Sequence, residues 1–176
     1  MKQEREQTPV PLTFEAVVSM AVETALREGG HQPTIIADGS KQSVGFELTE
    51  LGATHEARAG QMFMAGYLLA HSGRVGKLKQ TFLISEMWMS EAEPDKQPFV
   101  PPSKDPNRKE MLSISGLKVQ GDELQIVALE MVRDSKGELV ELKEFMRSEA
   151  KGVEAESPIL AAFVEGFRVG RSGNLG

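Results

Sequence analysis

Phe14, Val18, Ala21 and Ala25 recur at the spacing of one helix face, while Glu15, Ser19, Glu23 and Arg27 form a polar stripe. That pattern predicts a helix over 12–28 with one side wet. Glu23 and Arg27 stand in the favourable i, i+4 order, and Gly29-Gly30 stops the helix. Two short β-rich runs follow, 34–37 and 44–48, separated by a polar turn bearing glycine; together they predict a hairpin. Thr54 is a candidate N-cap for a second helix that ends at Ser72-Gly73. Its stretch 62–70 is apolar nearly all round, which is the pattern of a helix buried on every side. The expectation is a helix at the centre of the core. Ala59, Gly60, Ala65, Gly66 and Ala70 would let neighbours come close.

Residues 77–89 read as a long strand. Leu78, Phe82, Ile84 and Trp88 lie on one face, Leu83, Met87 and Met89 on the other. Neither face is clearly polar, as in a strand covered on both sides. Residues 90–108 carry Pro94, Pro98, Pro101, Pro102 and Pro106 and show no periodicity, so a long Pro-rich loop is expected there. Runs at 111–119, 123–133 and 138–147 alternate in strand fashion across short turns and predict an antiparallel meander. Ser157-Pro158 then opens a third helix carrying Leu160, Phe163, Val164 and Phe167, which fades from Gly170 into a tail at 171–176. The order is α-ββ-α-β-βββ-α. Hairpin-linked strands with segregated helices mean an α+β fold built on a predominantly antiparallel sheet.

Length fits one domain over 12–170, with 1–11 a loose polar arm, since 176 residues sit inside the usual single-domain range. The chain has no cysteine, which removes disulfides, thiolate metal sites and a thiol nucleophile. A net charge of −6 argues against a nucleic-acid partner, because phosphate backbones are bound by Lys and Arg. The opening residues lack the apolar core of a signal peptide, and the apolar run 62–70 is about half the roughly 20 residues that cross a bilayer. A cytoplasmic protein without membrane contact is expected.

Catalytic templates fail in turn. His55-Glu56 opens like the zinc helix motif, but Ala59 stands where the second histidine should be. His71 lies on a different side of the same helix and suits a bond to helix-end carbonyls. Gly76-Lys77 lacks the Ser or Thr that ends a phosphate loop, and the glycines after 166 follow a helix rather than open one. No cofactor, metal or catalytic residue is expected from spacing.

Glu86 poses a physical question, because it is in phase with Phe82, Ile84 and Trp88, the single tryptophan. Three arrangements are open: a buried carboxylate that needs a partner, an outward display of Trp88 on a contact face, or a bulge that resets the register. Glu130 repeats the oddity, in phase with Leu124, Ile126, Ala128 and Val132, so a carboxylate pair is a further option. The candidate ligand or interface residues are Glu86, Trp88, Phe99 and Arg108. The leading expectation is a non-enzymatic protein that self-associates as a homodimer or holds a partner, because strands apolar on both sides have only three helices to cover them. The alternative is a small enzyme or ligand binder, with Glu86 as general acid or base, Trp88 as an apolar wall and Arg108 as an anion clamp beneath the Pro-rich loop.

Overall fold

The structure is a computed structural model, described here for residues 12–90, 101–152 and 157–173. It has three helices and a six-stranded antiparallel sheet in the order α-ββ-α-β-βββ-α. The elements are α1 (Phe14–Glu28), β1 (Thr34–Gly39), β2 (Ser43–Glu47), α2 (His55–His71), β3 (Leu78–Met89), β4 (Lys109–Lys118), β5 (Glu123–Arg133), β6 (Leu139–Lys151) and α3 (Pro158–Ser172). A short 3-10 turn spans Pro102–Lys104. Strand order across the sheet is β2-β1-β3-β4-β5-β6, so β2 and β6 are its edges.

Local chemistry sets the helix ends. Thr13 accepts from Ala16 N and caps α1, and Gly29 ends it in the left-handed conformation (φ 76) that costs glycine little. Thr54 caps α2 by accepting from Ala57 N. Ser157 holds the cap position of α3 without a side-chain bond, so Pro158 alone marks that start. The last helix runs through Ser172, which moves the predicted tail boundary of 171–176 beyond Arg171 and Ser172. Arg27 closes on Glu28 at 2.8 Å rather than on Glu23.

Helices cover both sides of the sheet, giving two cores. On one side Phe14, Val17, Val18, Ala21 and Ala25 of α1 meet Ile36, Phe82, Ile84, Leu112, Ile114, Val127 and Leu129. Arg147 of β6 reaches Glu15 at 2.5 Å and ties α1 to the far strand. On the other side Met62 and Leu69 of α2 and Leu160, Phe163 and Phe167 of α3 meet Ile35, Ala37, Val44, Leu83, Leu117 and Leu124. Reciprocal glycines allow α2 and α3 to cross closely: a Cβ on Gly66 would strike Phe163 O, and one on Gly166 would strike Phe63 O. Asp38, buried in β1, is satisfied by Ser43 Oγ at 2.6 Å and Gln80 Nε2 at 2.8 Å, which pins three strands together.

One expectation is corrected. The second helix is not enclosed on all sides: Met62, Gly66 and Leu69 are buried, whereas Met64 and Leu68 remain 48% and 62% exposed. The reason is position. The helix lies beside the edge strand β2 with α3 against its glycine face, so among the described residues its outer flank meets no further element.

Candidate functional site

Trp88 and Glu86 do share the face that Phe82 and Ile84 turn toward α1, and the β3–β4 register runs unbroken through them, with Glu86 opposite Leu112 and Trp88 opposite Glu110. No bulge is present there. Yet Glu86 is exposed and Trp88 is 43% exposed, because β3 continues past the C-terminal end of α1. The face is core for half the strand and surface for the rest. Glu86 Oε1 accepts the His31 N–H at 2.6 Å, in the loop that leaves α1. Gly30 makes the approach possible, since a Cβ there would lie 2.7 Å from that oxygen. The carboxylate therefore holds the turn between α1 and β1.

Arg108 lies over the Trp88 ring at 4.0 Å from its centroid, a cation–π stack at the end of the Pro-rich segment. The structure thus brings Trp88 and Arg108 together. Phe99 lies outside the described residues, as does most of the loop around it. Glu86 instead lines a polar cleft of about 640 Å³ with Glu28, His31, Glu47 and Arg133, and Trp88 is not among its walls. Arg133 is committed to structure. It forms a two-pronged pair with Glu110 at 2.7 and 2.6 Å and also donates to Gly29 O and Gly137 O. Glu110 raises the Arg133 pKa above the ordinary guanidinium value, mainly through that hydrogen bond.

Glu130 and Glu86 face opposite sides of the sheet. Met111 pairs with Glu130 and with Met87, one residue out of phase with Glu86, so the two carboxylates form no acid–base pair. Glu130 has Lys109 at 3.8 Å. His71 Nδ1 donates to Tyr67 O at 3.1 Å, the helix-end bond expected of it. Among the described residues no three His, Asp or Glu side chains gather as a metal site, and no helix is long and apolar enough to cross a membrane.

Two apolar surfaces were not read as sites from the sequence. One lies beyond the α2–α3 pair on the same side of the sheet, where Met87, Phe145 and Met146 are exposed; a register shift opposite Ala128/Leu129 turns Phe145 toward Lys109, whose Nζ is 5.0 Å from the ring centroid. The other is a groove of about 820 Å³ between β2 and α2. Val44, Phe46 and Leu48 form one wall, and Met64, Ala65 and Leu68 form the other. Its geometry is fixed locally. Gln61 accepts from Gly52 N at 2.7 Å and donates to Glu50 O at 3.2 Å, and Arg58 Nε donates to Gly52 O at 2.7 Å, so the loop entering α2 is bound to its first turns. The signal for this groove was present in the chain, as the all-round apolarity of 62–70.

Comparison of the chain with protein-family models, with curated proteins and with solved structures finds no match in any of the three.

Proposed function

We propose that this protein is a non-enzymatic self-associating domain, and that the β2–α2 groove is its contact surface. The observation that carries the reading is the exposure of Met64 and Leu68, one helical turn apart in the stretch 62–70 that is apolar nearly all round, beside the edge strand β2. Covering the outer flank of α2 removes apolar surface from water, which favours association. Burying what remains exposed of Met64 and Leu68 contributes about 1 kcal/mol for each side chain, and a symmetric dimer counts each contact twice.

The groove outweighs the exposed Met87–Met146 surface for a physical reason. Its apolar side chains adjoin main-chain groups at a sheet edge, so a partner gains both burial and hydrogen bonds. An enzyme reading centred on Glu86 draws nothing from the geometry. Its carboxylate is exposed, holds a backbone N–H and lines a polar cleft whose walls do not include Trp88, so the apolar setting that would tune it as a general acid or base is not supported.

The test is light scattering on the full chain at micromolar concentration, with thermal melting in parallel. Wild type should run as a dimer. Leu68→Glu should run as a monomer while keeping a cooperative melt, because Leu68 is largely outside the core. A wild-type chain that remains monomeric at these concentrations would remove the proposal.

A further inference from the structure

The geometry points to a specific occupant of the groove: β2 of a second copy, paired antiparallel with this β2 about an axis through Gly45, so that the six-stranded sheet continues across two molecules. This rests on the self-association reading and adds its partner strand and register.

Main-chain direction supplies the first argument. Leu48 N–H donates to Pro33 O at 2.7 Å, toward β1. In an antiparallel ladder the groups alternate, so Val44 and Phe46 also bond β1, and Ser43, Gly45 and Glu47 turn their N–H and C=O groups outward. Among the described residues no turn, loop or cap bond reaches those three. The second argument is that protection is slight, resting on the strand's shortness and Glu47. Ser43–Glu47 carries no lysine or proline and pairs with β1 without a register shift. The opposite edge, β6, carries Lys143, Arg147 and Lys151 and has two register shifts, the devices that keep an edge unpaired.

Self-complementarity selects the partner. With Gly45 on the axis, Val44 stands opposite Phe46 of the second copy and Ser43 opposite its Glu47. Val44 and Phe46 face the α2 side, so Met64 and Leu68 of both copies extend one apolar seam beneath the joined strands. Charge agrees in sign. Lys41 binds Val75 O and Gly73 O, which places Lys41 and Arg74 at the Ser43 end of the groove. Glu47 and Glu50 lie at the other end. An antiparallel twofold sets the basic end of each copy against the acidic end of the other, whereas parallel pairing would set like against like. Gly45 also leaves the axis clear on the α1 side of the sheet.

The chain has no cysteine, so a single introduced thiol reports one position. A Cβ at residue 45 would meet the Ile36 side chain at 3.6 Å and Ile35 O at 4.0 Å, both ordinary contacts, and Gly45→Cys is therefore tolerated. Residues directly opposite in a hydrogen-bonded antiparallel pair have Cα atoms about 5.5 Å apart, within disulfide range. Mild oxidation of Gly45→Cys should give a covalent dimer at least about tenfold faster than Ser148→Cys on β6, because the held thiols have a raised effective concentration. In wild type, amide exchange at Gly45 and Glu47 should slow as protein concentration rises. A dimer with fast exchange at both amides and no Gly45→Cys cross-link would overturn the strand register while leaving self-association standing. Rapid cross-linking of Met146→Cys in that dimer would move the contact to the open sheet surface and overturn the groove as well. A monomer at every concentration would overturn both readings.

Discussion

Gly66 and Gly166 show how single residues set the spacing of whole elements. Each lies against a carbonyl of the opposing helix, Phe163 O and Phe63 O respectively, and neither site has a side chain that could yield. Adding a methyl group forces backbone apart, the costly form of overpacking. Gly166→Ala is expected to lose about 3 kcal/mol of stability, read as a lower urea midpoint at unchanged slope. Glu86 acts at the same scale with smaller stakes. Glu86→Gln keeps an acceptor for His31 N–H but loses its charge, so a loss of about 1 kcal/mol or less is expected, with Trp88 emission unchanged because the two groups occupy different surroundings. A large change in Trp88 emission would show that Glu86 and Trp88 form one site after all.

At the scale of elements, the sequence pattern named the three α-helices and six strands of the described residues, and what it misjudged was cover. The stripe Phe14, Val18, Ala21, Ala25 is buried as spaced, and Thr54 caps α2 as expected, because these features depend on neighbours within one or two turns; Thr13, inside the expected helix over 12–28, is instead the cap of α1. The fate of Glu86 depends instead on α1 ending before β3 does, a comparison of two element lengths that no local window contains. The pairing of Arg133 with Glu110 across adjacent strands was equally invisible, since it follows from the β4–β5 register. The turn that carries Arg108 onto Trp88 has its own pH dependence. Asp105 accepts from Asn107 N at 2.8 Å, and that bond foremost holds its carboxyl below the usual value. A folded pKa below the unfolded one means the turn gains stability fully present above the unfolded value near 3.9 and lost as pH falls through the folded one. Acid titration should therefore release the Asn107 amide and change Trp88 emission only below the ordinary aspartate range. A transition centred at or above that range would contradict the assignment.

For the whole molecule, one sheet serves two cores, and β3 contributes Phe82 and Ile84 to one and Leu83 to the other. Such sharing couples the two sides. Phe82→Ala and Phe163→Ala remove buried rings from opposite cores, and each is expected to cost about 3–5 kcal/mol while leaving one common unfolding transition by fluorescence and circular dichroism. Two separated transitions would mean that α2 and α3 fold as an independent layer. The same architecture explains the proposed dimer. Among the described residues two helices flank one side of the six strands, and α2, placed at the β2 edge, keeps an apolar flank exposed, the surface that the proposed dimer would cover.

By itself the chain determined its elements, the Thr54 cap, the two-sided apolarity of β3 and the unusual greasiness of α2, all set by side-chain pattern over a few residues. The tertiary structure decided which of those apolar positions ran out of cover and sent Glu86 and Glu130 to opposite faces of the sheet. It also set α2 against an edge strand. Those outcomes turn on strand register and on where one element stops relative to another far away in sequence, and burial is a property of that arrangement rather than of any residue's own pattern.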